Sequence, residues 1–556
     1  MKVLIVSGGT GSVELKKGLS KYIPFVNLYT LVNAYDNGKS TGLIRKVFDG
    51  NILGPSDVRK QQFLDYQLYR NEIKTEESEK IFNILNKRYS FYKNPEKEIK
   101  ELIKDFPNEL IEAVNVYFEQ PLARKIRYDD FSLANIIYGG LAYLNNYSLQ
   151  KAADIMAKYL NLPNNIIVTD DTSLFLCAKT ENNYIIYDEG KIVEWNNPNN
   201  RIVDIFFIDK YGNEKQPILS ERAKKIIKDS DLIVLSAGTQ FSSLIPTYKT
   251  KGFNESIKNK EVYLIMNVST DKDMKGYSKK EQFEIISKYV KFDKVFSDIH
   301  LNVDNEIVCN FKSEYYENKH DGNLLAYKIL EEYFKEKGLN PKKLQTLMID
   351  YDDTLMSRNI NDIEISLKVI ELVEKLPIET ILVTGKDINE IKGKFNYYFC
   401  NYANTVYDYK RNIILKLNVI KDQNKIFNAL KRVKFNFSKY ENRADSVISL
   451  RFLDDDYREV LYNYLIELFK DEIEKNEIYI RKAGVSTIDI MSKMTNKYEN
   501  IKQIKNKIYL NLDKTIYIAD EKDGNDKEMF ENMTCLEVKS PYDTYTILKF
   551  IDNSIL

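Results

Sequence analysis

The chain has 556 residues, enough for two to four domains that each bury a core. Lysine plus arginine and aspartate plus glutamate both total 82, so no overall field draws the protein toward nucleic acid or a membrane surface. Its only histidines, His300 and His320, and its widely separated Cys177, Cys309, Cys400 and Cys535 exclude histidine-rich and cysteine-spaced metal sites, leaving acid–base work to carboxylates, lysines and bound metal. No apolar run is long enough to span a bilayer, and Met1-Lys2 leads straight into a strand with no signal peptide. The expected location is the cytoplasm, where the cysteines stay as thiols.

Residues 2–7 form a short β-branched apolar run, and Gly8-Gly9-Thr10-Gly11 follows at once. Residues 12–22 then carry helical periodicity, with Val13, Leu15 and Leu19 among charged residues. Strand, glycine turn and helix make a phosphate cradle. The glycines let the backbone approach the anion, and free N–H groups at the helix start point toward it. A second strand over residues 26–34 ends near Asp36, which is how a doubly wound, Rossmann-like α/β sheet opens. The dinucleotide fingerprint Gly-x-Gly-x-x-Gly is not met, because Glu14 stands where its last glycine belongs.

Asp36-Asn37-Gly38-Lys39-Ser40-Thr41-Gly42-Leu43-Ile44-Arg45 is a polar loop ending in arginine, and Gly54-Pro55-Ser56-Asp57-Val58-Arg59 is a turn with an acid and a base two apart. Residues 61–118 alternate lysine and glutamate with spaced Leu, Ile, Phe and Tyr, the pattern of solvated helices packed on a sheet. With no basic stripe beside them, the tyrosines do not make a nucleic-acid platform, and Trp195 is expected in the core. Ser132-Leu133-Ala134-Asn135 precedes another helix. A strand over residues 231–235 runs into Ser236-Ala237-Gly238-Thr239-Gln240, and a further strand, 262–267, ends at Asn267.

These ordered blocks resemble the CofD-like family of 2-phospho-L-lactate transferases and their nucleotide-sugar-binding relatives, the relatives more closely. The resemblance implies a nucleotide or nucleotide-linked phosphoester held by Gly9, Thr10, Gly11, Asp36, Asp57, Arg59, Asn135, Gly238, Thr239 and Asn267. The chain departs from the pattern at Asn37 (an acid in the family), Lys39 (a glycine), Lys60 (an asparagine) and Ser236-Ala237 (Gly-Pro). The family's deazaflavin acceptor is therefore not carried over. Two roles stay open for this half, a transferase and a nucleotide-sugar sensor that performs no chemistry.

Residues 321–337 read as an amphipathic helix that Gly338-Leu339-Asn340-Pro341 stops, so domains are expected over 1–338 and 344–556. The run Leu347-Met348-Ile349 then meets Asp350 and Asp352, a strand ending in a turn that sets two carboxylates at a sheet's carboxyl edge. One could attack phosphorus while the other handles a proton, provided a divalent cation offsets their repulsion. A helix over 362–375 and a strand ending in Thr384-Gly385-Lys386 follow. Residues 420–485 have strand–helix–strand character, with the helix over 454–474. Ser486-Thr487-Ile488-Asp489-Ile490 precedes Thr495-Asn496-Lys497 at a helix start, and a strand over 515–520 runs into Glu521-Lys522-Asp523-Gly524-Asn525-Asp526.

In this order the second half resembles the haloacid dehalogenase (HAD) superfamily, with an α/β cap over about residues 420–485 like that of its sugar-phosphate phosphatases and phosphomannomutases. The resemblance implies Asp350 as nucleophile, Asp352 as acid and base, and Thr384 and Lys497 holding the phosphoryl oxygens, with Lys493 the competing lysine. It implies Mg²⁺ on Asp350, Asp520 and the Asp352 carbonyl, with Asp526 supporting. Asp353 and Ala519 stand where the family has glycine. The expectation is a bifunctional α/β protein, a Rossmann-like transferase half fused to a HAD-like Rossmannoid phosphatase with an α/β cap. Its partners are a small phosphoester and a nucleotide or nucleotide-sugar, with no nucleic acid and no membrane. A homo-oligomer and a phosphosugar mutase are left open.

Overall fold

Seven short strands build the sheet of the first half: β1 (Val3–Ser7), β2 (Leu28–Val32), β3 (Ile166–Val168), β4 (Leu232–Leu235), β5 (Glu261–Ile265), β6 (Lys294–Ser297) and β7 (Glu306–Val308). They lie in the order β7-β6-β5-β4-β1-β2-β3 and every neighbouring pair is parallel. All of β1 and β4 is buried, which is why both read as unbroken apolar runs rather than alternating ones. From β1 the chain goes to β2 on one side and later returns to β4 on the other. That reversal leaves a crevice beyond the carboxyl ends of β1 and β4.

The structure is a computed structural model that describes residues 1–315, 318–432, 439–451, 455–483, 486–493, 496–520 and 522–555. It divides into two compact units, Met1–Ile329 and Leu330–Leu556. The division falls inside the helix Gly322–Glu336, upstream of Gly338, which takes φ +85° as a helix-stopping glycine does.

Helices α1 (Val13–Leu19), α2 (Lys39–Val47) and α3 (Ser56–Ile73) follow the first two strands, and α4 (Leu133–Leu144) lies further along. The 61–118 stretch is a series of helices joined by short loops, broken by the strand Arg88–Phe91, which pairs with Tyr128–Ser132. A four-stranded antiparallel sheet, Phe175–Thr180, Ile185–Tyr187, Ile202–Ile208 and Glu214–Lys215, has no counterpart in the sequence reading. Trp195 is half-buried, stacks on Tyr184 at 5.6 Å and donates from Nε1 to the Asn200 carbonyl, so it edges the core rather than filling it.

The second unit repeats the logic. Its sheet holds β8 (Thr346–Ile349), β9 (Glu379–Val383), β10 (Tyr397–Cys400), β11 (Thr405–Asp408) and β12 (Ile413–Lys416). A separate antiparallel sheet lies where the cap is expected: β13 (Lys439–Arg443), β14 (Val447–Arg451), β15 (Tyr479–Ala483) and β16 (Thr487–Met491), in the order β13-β14-β16-β15. Helices α5 (Gln423–Lys431) and α6 (Asp455–Leu468) pack on it around Leu430, Ile448, Leu461, Leu465 and Ile490. The chain returns through α7 (Lys497–Ile504) to β17 (Thr515–Ala519) and β18 (Cys535–Glu537), and the main sheet runs β12-β11-β10-β9-β8-β17-β18.

This sheet therefore runs past residue 485, where the expected insertion ends. The Thr-Ile-Asp-Ile alternation that precedes Lys497 is an interior strand of this sheet, paired on both sides. Thr495, Glu521 and Asp454 lie outside the described residues. All four cysteines are free, Cys177 and Cys400 buried and the others partly so. Among the described residues no helix is long and apolar enough to cross a membrane.

Candidate functional site

The first unit's crevice is a cavity of about 390 Å³ lined by Gly9, Thr10, Gly11, Asp36, Asp57, Gly238, Thr239 and Asn267, together with Lys60, Glu189 and Asp271. The glycine turn must stay bare. A Cβ on Gly9 would lie 2.1 Å from Asp57 Oδ1, and one on Gly11 2.1 Å from the Ala237 carbonyl oxygen. Asn267 fixes the opposite turn, since its Oδ1 accepts from Gly238 N–H and its Nδ2 donates to the Gly238 carbonyl, both at 2.9 Å. Arg59 lines an adjoining cavity of about 550 Å³ with Ser40 and Asp188, and its Nη1 donates to Ser132 Oγ. Asn135 lines neither cavity and stands behind Ser40, to whose Oγ it donates at 3.2 Å.

Beneath the turn lies a network that sequence reasoning missed. Gln61, fully buried on α3, donates from Nε2 toward the Gly9 carbonyl (3.1 Å), the Gly8 carbonyl (3.3 Å) and Ser12 Oγ (3.0 Å). Its Oε1 accepts from Lys16, which is itself paired with Asp65 at 2.6 Å, and both ions are buried. Burial lowers the Lys16 pKa and raises that of Asp65, each against the pull of its partner. Gln61→Leu keeps the volume and removes the donor these acceptors share. A stability loss of about 1–3 kcal/mol is expected in urea unfolding of the first unit, and a loss under half of that range would show the turn holds without Gln61.

Glu189, from the helix Glu189–Glu194, was also missed. Burial and then the neighbouring Asp36 push its pKa well above the usual carboxylate range. The buried Arg45, lowered to about 10 by burial, lies near Asp36, Asp188 and Glu189 and offsets their charge. Asn37 replaces the family's second acid for a visible reason. Its backbone N–H donates to Glu189 and its Nδ2 to Asp188 (3.2 Å), where a carboxylate would repel both.

In the second unit β8 and β17 are parallel neighbours, Ile349 opposite Ile518, and Asp350 and Asp520 follow them at the point where strand order reverses. Lys497, the first residue of α7 and 3% exposed, stands 2.7 Å from both Asp350 Oδ1 and Asp526 Oδ1. The Tyr517 hydroxyl donates to Asp526 at 2.5 Å. Carboxylate oxygens of Asp350, Asp520 and Asp526 all lie within 4.8 Å of one another. Burial pushes Asp350 up to about 8. Lys497 pulls it down, and Asp526 and Asp520 add to the rise. Burial alone would lower Lys497, but Asp350 and Asp526 outweigh it and hold the ammonium above the ordinary lysine value. Three carboxylates facing one ammonium leave surplus negative charge on an all-oxygen donor set, which fits a hard divalent ion such as Mg²⁺.

The Asp352 carboxylate is outside that trio and pairs with Lys386 at 3.1 Å, while lining the same cavity of about 390 Å³. The buried Thr384 hydroxyl faces this cavity and accepts from the Lys386 N–H at 3.2 Å. Lys493 is exposed. Asp353 takes φ +48°, a left-handed turn that Asp tolerates in place of glycine, and Arg358 pairs with its carboxylate at 3.2 Å. The four-stranded sheet β13–β16 supplies a wall of the cavity that spacing could not reveal. Buried Asp489 accepts from Tyr402 Oη (2.6 Å) and Ser449 Oγ (2.7 Å), and Arg443 donates to the Gly385 carbonyl at 3.2 Å. Arg481 lies 4.5 Å over the Tyr402 ring and reaches Asn525 in the acidic loop.

The family described as 2-phospho-L-lactate transferase CofD matches residues 3–358, running past the first unit to the turn that carries Asp350. A gluconeogenesis factor from Listeria innocua is 23% identical over 292 residues, which is 52% of this chain and 74% of that protein. A UPF0052-family protein from Bacillus halodurans superposes with TM-score 0.45 at 20% identity, over 60% of this chain and all of its own. A haloacid dehalogenase-like hydrolase from Bacteroides thetaiotaomicron gives TM-score 0.26 at 10% identity, over 34% of this chain and 84% of its own. Structural likenesses this low carry no functional argument.

Proposed function

The chain belongs to the 2-phospho-L-lactate transferase CofD family, and on that premise we propose a protein with two phosphoester-handling parts, a nucleotide-dependent transferase in the first unit and a HAD-type phosphatase in the second. The observation that carries the second assignment is the meeting of Asp350, Asp520 and Asp526 around Lys497 at the carboxyl edge of the sheet. The resemblance of the ordered motifs to the HAD superfamily supplies the roles.

In this mechanism Asp350 attacks the phosphorus of a small phosphomonoester in line, and the bond to the leaving oxygen breaks as Asp352 delivers a proton to it. Asp352 then takes a proton from water, whose oxygen attacks the aspartyl-phosphate, releasing phosphate and the free Asp350 carboxylate. Lys497 and the Thr384 hydroxyl hold the phosphoryl oxygens. Asp350, Asp520 and Asp526 would hold Mg²⁺, with the Asp352 carbonyl completing the set that the resemblance implies. When bound, the ion supplies positive charge against the anionic phosphoryl oxygens. The cap confines the substrate and excludes water during attack. Asp489, with lone pairs beyond those used by Tyr402 and Ser449, suits the hydroxyl groups of a sugar phosphate.

Phosphate release from a panel of small phosphomonoesters is expected to require Mg²⁺, to stop in EDTA and to return on readdition. Equal rates with and without chelator would sink the phosphatase assignment.

For the first unit a sensor reading has specific support. Asn37 is bonded to Asp188 and Glu189 and lines the adjoining cavity but not the one at the glycine turn, and the Listeria relative's name is that of a factor, not a transferase. Incubating the full-length chain with nucleoside diphosphate conjugates separates the two readings. Nucleotide release marks the transferase, and binding without release across acceptors marks the sensor.

A further inference from the structure

Lys60, which stands where the family has asparagine, finds its place at the glycine turn. It rises from α3, and its Nζ lies 2.9 Å from Asp57 Oδ1. The same ammonium would be 2.9 Å from a Cβ on Gly9, so it hangs directly over the turn that faces the cavity. Around it the cavity presents Asp36, Asp57, Glu189 and Asp271, and the other lysine in its lining, Lys272, is exposed. A phosphate entering this acidic space needs a cation beside it. Among the described residues, no three carboxylates of this cavity lie close enough together to hold an ion by themselves.

Resting on the reading of this cavity as a nucleotide site, we propose that Lys60 is the cation that meets the ligand's phosphates, so that the chain binds a nucleoside diphosphate or its ester without a divalent ion. Lysine contacts phosphate as a point charge with three N–H donors. Asp57 takes one of them and braces the ammonium over Gly9, and two remain for phosphate oxygens. The acids that would otherwise repel the ligand thereby position the group that attracts it.

The test is equilibrium binding of UDP, GDP and ADP to the full-length protein, in Mg²⁺ and in EDTA, with the corresponding nucleosides as phosphate-free controls. At least one diphosphate should bind the wild type equally, within about twofold, in both buffers. Lys60→Gln should weaken that binding on the order of 10- to 100-fold in EDTA, through loss of the charge-assisted contact with the phosphates. It should leave nucleoside binding unchanged, and Lys60→Arg should restore most of the affinity. Wild-type binding that disappears in EDTA and returns with Mg²⁺ overturns the proposal while the nucleotide reading stands, as does a Lys60→Gln variant that binds like wild type. If no diphosphate binds in either buffer, the nucleotide reading falls and takes this inference with it.

Discussion

Asp350→Asn is expected to abolish phosphate-ester turnover, by at least about 10³-fold, because in the proposed mechanism it removes the nucleophile and leaves no bypass through another group. The same variant has a second signature that simple misfolding cannot imitate. In the metal-free protein Asp350 has a pKa of about 8, against about 3.9 in an unfolded chain. A carboxyl raised on folding contributes stability that is fully present below the unfolded value and is lost as pH rises through the folded one. Metal-free wild type should therefore lose stability progressively between about pH 4 and pH 8. The Asn variant lacks this slope and should melt higher than metal-free wild type at pH 8, the difference closing near pH 4. Mg²⁺ should raise the wild-type melting temperature at pH 8 and do little for the variant. Differential scanning calorimetry across pH, with and without Mg²⁺, reads all three effects. Parallel wild-type and variant curves would contradict the electrostatic account of the site.

Lys16→Met should cost the first unit about 3–5 kcal/mol, the penalty for stranding a buried charge. Lys16 and Asp65 are paired at 2.6 Å, and their side chains are 0% and 2% exposed. Methionine keeps much of the lysine's shape, so the loss isolates the charge rather than a cavity. The companion double variant, Lys16→Met with Asp65→Leu, should recover most of the stability, because an apolar pair of similar volume avoids the desolvation of both ions. Nucleotide binding should fall in the single variant as well, since Gln61 loses its contact with Lys16 while still holding the Gly8 and Gly9 carbonyls. Urea unfolding of the three proteins decides the matter. A single variant within about 1 kcal/mol of wild type would mean that the ion pair is stabilised by less than its burial implies.

The positions of Asp350 and Asp520 were readable before the fold because an unbroken apolar run ending in an acid describes a buried parallel strand and its carboxyl tip. The glycine turn of the first unit was readable on the same principle, with strand, turn and helix in immediate succession. Lys497 needed more. Its chemistry is invisible among so many lysines, and only its place at a helix start after the cap singled it out. Gln61, Lys16 and Asp65 were not readable, because charged and amide residues within a helical pattern read as its solvated face. Here the neighbouring glycine turn supplies acceptors for Gln61, and Lys16 and Asp65 supply each other's partner, which lets all three be buried. The alternation of Thr487–Met491 fits a sheet strand and a segment leading to the Lys497 helix equally well, so only its pairing on both sides places it in the second sheet. Asp489 and Arg443 reach the cavity only through the placement of the four-stranded sheet, which no local spacing encodes. Asp353 looked like a flaw until its left-handed φ and the Arg358 partner accounted for it.

The central claim, that Asp350 carries the phosphoryl group, is tested most directly by trapping it there. The full-length protein turning over a phosphomonoester in Mg²⁺ is quenched with borohydride, which reduces an aspartyl-phosphate to homoserine, and the peptides are sequenced by mass spectrometry. The mechanism predicts homoserine at position 350, dependent on substrate and absent without Mg²⁺. Steady turnover with Asp350 unmodified, or reduction at a different aspartate, would contradict it.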